Sequence, residues 1–330
     1  MRNISKPTDL LVIGTSKDYH IDRVLKHVKS DISICRFDVD RYPTKITIDI
    51  AIKKGRTEVI VYDIEKHVRC DITNVKSVWF RRIGSPQLDE SIRVKAHRAF
   101  SLNEIDHILN SLSKLLSKAK WINDFWATKQ ASLKPYQLVV ADMVGLDFPN
   151  TWISNSPEYA KQLLYKSESL IYKTLSSPSI DYETHRGLVF TQILGMSDLD
   201  KMEDVRFTPC QFQTPIVKSH ELRITYIGGD FFSVSINSQQ HVAAINDWRA
   251  GADEVSYSPM QLPEMIERKL DKFMLTTGLL FGAIDMIVTP NEDYFFLEVN
   301  PHGAWGWIED ASALPISKNF GRFLSLQARS

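Results

Sequence analysis

Three observations predict a multidomain chain of mixed α/β and α+β class: a βαβ opening over residues 9–37, a change of texture at Trp121 to helices interspersed with short strands, and two late strand-like runs flanking a TPNED turn. The 330 residues are 43% hydrophobic and 24% charged, enough apolar matter for the cores of two or three domains.

The run DLLVIG, Asp9 to Gly14, reads as a buried strand, followed by an amphipathic helix from Asp18 to Val28 and a second strand at Ser33 to Phe37. Alternating segments at Lys45 to Ile52 and Glu58 to Ile64, around KKGR, predict a hairpin. Ser77 to Phe80 reads as a further strand and His97 to Lys118 as a long helix, so residues 1–120 form an N-terminal α/β domain. Gly14 is followed by TSKDYH rather than the remainder of a GxGxxG fingerprint, which excludes a dinucleotide site there.

Residues 121–210 predict a central α+β domain, with one helix from Ala127 to Val144, a shorter one from Pro157 to Lys166 and a strand at Leu170 to Leu175. SSPSIDYETHRG, Ser176 to Gly187, has the serine, proline and glycine content of a mobile loop. A C-terminal domain, residues 211–330, follows with strands at Gln211 to Val217, Glu221 to Ile227 and Phe231 to Asn237, a helix from Pro263 to Thr276 and the two late strands.

Forty basic residues balance forty acidic ones, so no global field draws the chain to nucleic acid or to an anionic membrane. Cys35, Cys70 and Cys210 are widely spaced, with no CxxC pair and no neighbouring histidine, and read as buried thiols rather than a disulfide framework or a zinc site. The apolar run near the N-terminus is too short for a signal peptide, and no stretch approaches the roughly 20 apolar residues of a membrane span. A cytoplasmic location is the expectation.

The chemistry concentrates in FGAIDMIVTPNEDYFFLEVN, Phe281 to Asn300. A hairpin centred between Asn291 and Glu292 sets Asp285 directly opposite Glu298, and period-two alternation puts Asn300 on the same face. Two carboxylates facing each other across a ladder repel. A cation relieves the conflict, and two carboxylates with an amide suit magnesium, which is commonly held by so few protein ligands plus substrate phosphates. The competing reading sends each acid to solvent or to an arginine, although an unpaired charge inside such apolar strands is costly.

A polyphosphate partner needs cations, and the GxxxxGK[ST] loop is absent, so side chains must supply them. Lys134, at the head of PYQLVVADMVGL, and Lys173, inside the apolar LIYKTL, are the candidates; the alternatives are a solvated helix residue and a snorkelling strand-end lysine.

These pieces together resemble the ATP-grasp superfamily, whose last two metal-bearing strands DMIV and FFLEVNP are similar to. The resemblance implies an ATP-grasp fold behind an N-terminal pre-ATP-grasp domain, ATP and Mg2+ as cofactors, Asp285, Glu298 and Asn300 as magnesium ligands, and Lys134 and Lys173 on the ATP phosphates. FQTPIVKSHELRIT, Phe212 to Thr225, resembles the family's adenine hinge, with Thr214 where a glutamate is usual. It implies that Gln213, Thr214 and Ile216 border the adenine, the Thr214 carbonyl accepting and the Ile216 amide donating, since Pro215 has no N–H. Glu221 would then meet the ribose, and Arg223 and Arg249 the transferring phosphate or the substrate carboxylate; each arginine also reads as an ordinary ion-pair partner.

A narrower resemblance rests on WFRR, Trp79 to Arg82, and HGAWGWIE, His302 to Glu309, which are similar to motifs of the microviridin-type ATP-grasp enzymes, the graspetide macrocyclases. His302 and Ala304 stand where asparagine and glutamine are expected, and Trp305 and Trp307 also suit a core or a domain interface. The resemblance implies a ribosomal precursor peptide, with leader and core, as partner: its Asp or Glu side chains are activated by ATP as acyl phosphates and joined to Ser or Thr hydroxyls or Lys amines. The loop at Ser176 to Gly187 would close over the nucleotide to keep water from that intermediate. Two other readings stay open, a ligase that adds a free amino acid in the manner of glutamate ligases, and a non-catalytic ATP- or peptide-binding module. A homodimer is the ordinary outcome if copies of the chain associate.

Overall fold

The structure is a computed structural model that describes residues 6–176, 179–181 and 186–329. The N-terminal part comprises β1 (Lys6–Pro7), β2 (Leu10–Gly14), α1 (Tyr19–Leu25), β3 (Ile34–Asp38), β4 (Ile46–Lys53), β5 (Arg56–Asp63), β6 (Val68–Asp71), β7 (Ser77–Phe80), α2 (Lys95–Leu115) and β8 (Lys120–Ile122). Every residue of β2 is buried, because β3 and β7 pair with it in parallel and both faces of the sheet, ordered β3-β2-β7-β8, are covered. A second sheet, β1-β6-β5-β4, contains the predicted hairpin, which turns through Lys54 and Gly55 with Gly55 at φ +76°. β6 escapes sequence reading because VRCD puts charges at two of four positions.

The central part holds α3 (Phe125–Ala131), α4 (Lys134–Val144), β9 (Thr151–Ser154), α5 (Pro157–Ser167), β10 (Ser169–Lys173), β11 (Ser179–Asp181), β12 (Arg186–Leu188), β13 (Gln192–Gly195) and β14 (Cys210–Gln213). The single helix expected over residues 127–144 is two. Pro135 has no N–H to return to Ala131, so Leu133 goes extended and the proline sits in the first turn of a new helix. An antiparallel sheet, β13-β10-β14-β9, carries α5 and a 3₁₀ stretch, Met196–Phe207, on its apolar face through Leu164, Met202 and Val205. The strand expected to run to Val217 stops at Gln213, two residues before Pro215. Within the segment read as a mobile loop, β11 and β12 pair as a short antiparallel ladder, while positions 177, 178 and 182–185 lie outside the described residues.

The C-terminal part is a five-stranded antiparallel sheet, ordered β17-β16-β15-β18-β19, from β15 (His220–Ile227), β16 (Asp230–Ile236), β17 (Tyr257–Pro259), β18 (Phe281–Val288) and β19 (Tyr294–Asn300), with α6 (Glu264–Thr277), α7 (Gly306–Ser312) and α8 (Ile316–Gln327). Leu270, Phe273 and Met274 of α6 and Leu138 and Ala141 of α4 cover one face, meeting Ile224, Ile284, Met286 and Phe296. A second core joins the ends of the chain: Leu10, Val12 and Trp79 of the first sheet pack with Phe281, Trp305, Phe320 and Leu324.

The turn between β15 and β16 uses Gly228 and Gly229, both at positive φ, and a Cβ on Gly228 would lie 2.3 Å from the Phe323 ring of α8. Gly228→Ala is therefore expected to cost about 1–3 kcal/mol in urea unfolding. Gly229→Ala, with nothing within 4 Å of its Cβ, carries backbone strain alone and should cost less.

The three cysteines are free and buried. Among the described residues no helix is long and apolar enough to cross a membrane.

Candidate active site

The last two strands set Asp285 opposite Glu298, as expected, but by a different route. The turn is a three-residue loop, Pro290 to Glu292, closed by the Thr289 amide donating to the Asp293 carbonyl, with Glu292 at φ 63°. That loop pairs Val288 with Tyr294 and would leave Asp285 out of register with Glu298; a bulge at Leu297 restores it. The same bulge lets Phe296 and Val299, three residues apart, both enter the core while Glu298 and Asn300 point the other way.

β19 is the last strand of its sheet, and its outer side is held by the Asp147 carbonyl, which accepts from the Phe296 N–H at 2.7 Å, and by one side-chain amide from α4. The Gln137 side chain accepts from the Val299 N–H (2.8 Å) and donates to the Val299 carbonyl (2.9 Å). Lys134 lies one helical turn earlier, which brings its ammonium to 3.1 Å from Glu298 and lets it donate to the Thr174 carbonyl at 2.9 Å. Lys173, at the end of β10, points into the same space; among the described residues it has no hydrogen-bond or ion-pair partner. Burial pushes its pKa below the ordinary lysine value, against the pull of Glu298. An ammonium partly withdrawn from water, with no hydrogen-bonded anion among the described residues, favours an anionic ligand.

Arg223 of β15 lies across the ladder from Asp285 and reaches both of its oxygens at 2.9 Å through one nitrogen, while its other terminal nitrogen donates to the Ala304 carbonyl. Asp285 thus meets an arginine. Burial still lifts its carboxyl above the ordinary value, with Arg223 opposing and the charge of Glu298 adding to the lift. Burial acts the same way on Glu298, but Lys134 and Lys173 outweigh it and hold that carboxyl below its ordinary value. Asn300 is exposed, and its side-chain oxygen accepts from the His302 amide at 2.9 Å.

Among the described residues no three His, Cys, Asp or Glu side chains converge as a metal cluster. Two carboxylates and one amide sharing a sheet face form a smaller set, and hard oxygens in that number fit magnesium when phosphate oxygens and water complete its shell.

Arg249 stands on a 3₁₀ turn, Trp248–Gly251, where Asp247 grips it as a fork at 2.8 and 2.6 Å. That pairing raises the arginine's pKa and, against burial, holds the Asp247 carboxyl down at about 2. The arginine's charge also acts on Asp285 and Glu298, so it belongs to the same cluster. Glu221 is buried with Lys218 at 2.5 Å; burial pushes its carboxyl up despite that lysine. At the hinge, the Gln213 side chain donates to Thr151 at 2.9 Å and the Thr214 amide to the Asn150 carbonyl at 3.0 Å. Among the described residues, the Thr214 carbonyl and the Ile216 amide make no hydrogen bond, which leaves the two groups read for adenine with unused capacity.

The tryptophan and arginine motifs, far apart in sequence, lock together. Arg81, 1% exposed, donates to the carbonyls of His302 (2.6 Å) and Gly303 (3.1 Å), and lies over the Trp305 ring at 4.8 Å. Its Nε sits 3.0 Å from Asp18 as an ion-pair contact, with the N–H not aimed at the carboxylate. Arg82 adds a bond to the His302 carbonyl at 3.3 Å. Burial, reinforced by these arginines, depresses the His302 pKa to about 4. Trp305 is fully buried against His20 and Arg81 and serves the interface between the first and last parts, whereas Trp307 packs against Trp248 and Tyr257 within the C-terminal part.

Sequence reading missed Asp18, His20, Asn123, Gln137 and Asp247. His20 accepts at Nε2 from the amides of Trp305 and Gly306, which leaves Nδ1 to donate to Asp18 at 2.7 Å. Asn123 bonds the amides of Leu280 and Phe281 and the carbonyls of Phe281 and Pro301. The local signals were the N-cap pattern DYH at the start of α1 and the spacing of Asp247 two residues before Arg249; the partners of Asn123 and Gln137 are distant in sequence.

Burial disfavours ionised Asp18, yet the His20 hydrogen bond and the Arg81 charge outweigh it and hold its pKa at about 2. A carboxyl depressed on folding stabilises the protein above its ordinary pKa, and that share is lost as pH falls from about 4 to about 2. Asp18→Asn should remove roughly 2 kcal/mol of this acid dependence, read from urea unfolding of the two proteins at pH 5, 3 and 2. Parallel curves would refute it.

Residues 9–129 match the family described as the MvdD pre-ATP grasp domain. The chain is similar to the RiPP-associated ATP-grasp ligase of Chryseobacterium gregarium, solved with ADP and a leader and core peptide, at 29% identity over 96% of each chain and a TM-score of 0.87. It is similar to the macrocyclase MdnC of Microcystis aeruginosa MRC, solved with precursor peptide MdnA, at 34% identity over 96% of this chain and 98% of MdnC, with a TM-score of 0.83. Macrocyclase MdnB of the same organism matches at 28% identity over 97% and 99%, with a TM-score of 0.79. No curated protein matches the sequence. A pre-ATP-grasp domain leading into a sheet that sets two facing carboxylates among lysines and arginines, with 34% identity to a macrocyclase along nearly its whole length, places this chain in the family of microviridin-type ATP-grasp peptide ligases.

Proposed function

We propose that this protein is an ATP- and magnesium-dependent ligase that closes rings in a ribosomal precursor peptide by joining Asp or Glu side chains to hydroxyl or amine side chains. The observation that carries this reading is the convergence on Glu298 of Lys134 and of Lys173, which has no hydrogen-bond or ion-pair partner among the described residues, directly across the ladder from Asp285, which Arg223 holds from the other side.

On this reading Lys134 and Lys173 hold the ATP phosphates, and the hinge groups of Gln213, Thr214 and Ile216 border the adenine, with Glu221 toward the ribose. Asp285, Glu298 and Asn300 hold magnesium, which when bound neutralises phosphate charge. The substrate carboxylate attacks the γ-phosphorus, the bond to the β-bridging oxygen breaks and ADP leaves. Arg223 and Arg249 stabilise the charge that spreads over the phosphoryl oxygens. The hydroxyl or amine then attacks the acyl carbon and phosphate departs, so each ring removes one water overall. The segment around β11 and β12 serves as the cover that excludes bulk water. The free thiols, together with ATP as cosubstrate, support a cytoplasmic location.

The test is mass spectrometry of candidate short acidic peptides from reading frames neighbouring the gene, each incubated with ATP and magnesium. Loss of one water per ring with matching ADP release is the expected result. An unchanged peptide mass, with ADP released only when a free amino acid is added, would replace this reading by an amino-acid ligase.

A further inference from the structure

At the carboxyl edge of the parallel sheet, a cavity of about 580 Å3 opens between the ends of β7 and β8, the flank of α2 and the short helix α3. Open α/β sheets bind ligands at this edge, and an apolar cavity with few polar groups is the usual form of such a site. Phe80, Ile83, Leu109 and Trp126 supply the apolar wall, Asn110 faces in from α2, and His302 closes the side nearest the candidate active site. Trp126 is 41% exposed and Ile83 40%, so the wall is reachable from outside.

Two further observations point to the occupant. The cavity borders the candidate site through one residue: His302, in its wall, donates its amide to Asn300 at 2.9 Å. The charge near its mouth is mostly positive: Lys129 lies 4.7 Å from the Phe125 ring and 5.6 Å from that of Trp126, and Arg82 donates to the His302 carbonyl, against a single acid, Asp106, in the wall. An apolar hole with a cationic border beside a carboxylate-activating site fits an apolar side chain on an acidic peptide.

We propose that this cavity is a specificity pocket of the ligase, taking an aromatic or branched aliphatic side chain of the precursor's core segment close to the acidic residue being activated. The proposal rests on the precursor-peptide reading above and deepens it. The pocket fixes the peptide's register, so that one carboxylate rather than its neighbours is presented to the γ-phosphate.

The test uses a precursor peptide that the enzyme cyclises in the mass-spectrometric experiment above, together with variants in which each apolar core residue is replaced by alanine. With the wild-type enzyme, one replacement should raise the KM for peptide about tenfold and leave the KM for ATP unchanged. In Asn110→Trp, which fills the cavity from a half-exposed helix position, the parent peptide should show the same rise, and the alanine replacement should add nothing to it. Ile83→Ser, which thins the wall at an exposed position, should give a smaller rise of the same kind and serves if the first variant is poorly folded. A ring-closing wild type whose KM is unaltered by both variants, or an alanine penalty that persists in full in Asn110→Trp, overturns the pocket alone. A wild type that closes no ring overturns the functional reading and the pocket together.

Discussion

Replacing Glu298 by glutamine is expected to lower ATP-dependent ring closure by about a thousandfold while leaving the fold intact. The substitution keeps shape and removes one charge at the point where Lys134 and Lys173 converge. Stability should move by less than about 1 kcal/mol, because Lys134 retains its bond to the Thr174 carbonyl and the repulsion between facing carboxylates is relieved. ADP binding should persist, since neither lysine is touched. Thermal unfolding, nucleotide binding and peptide mass measured on the same preparation separate these effects. A variant that still closes rings at the wild-type rate would remove Glu298 from the magnesium site.

Arg81→Met should instead strike the fold, with a loss of about 3–5 kcal/mol. Arg81 is buried, its pKa driven down to about 10 by burial, and it remains charged because Asp18 faces it. The variant leaves the Asp18 carboxylate without that counter-charge and the His302 and Gly303 carbonyls without their donor, at the seam between the first sheet and the loop that follows β19. The double variant Arg81→Met, Asp18→Asn should recover part of the loss, since an unpaired buried charge is worse than none. Urea unfolding of the two single variants and the double variant decides it; a double variant less stable than Arg81→Met would count against charge pairing as the cause.

These two sites differ in how far they could be read in advance. Facing carboxylates on β18 and β19 were legible because a hairpin is local: its strands are separated by a few residues, and alternation assigns their faces. Even there, the hairpin is not centred between Asn291 and Glu292 with a regular ladder as expected; the three-residue loop and the bulge at Leu297 compensate one another. The break between α3 and α4 lay open in Pro135, whose missing N–H forbids the continuous helix that apolar periodicity suggested.

Arg81 and His302 belong to motifs that stood out separately, but no local rule joins residues 221 positions apart. The same holds for Gln137 on Val299, 162 positions away, and for Asn123 on Phe281. Periodicity, turn chemistry and residue type, being properties of neighbours along the chain, were enough for the class of fold, most strands and helices, and the acids and lysines that the fold brings together. Which cation meets which acid, which amide helps hold the last strand and where a cavity opens follow from packing between segments that only the folded chain brings together. Those contacts depend on burial and on the demand that each buried polar group find a partner.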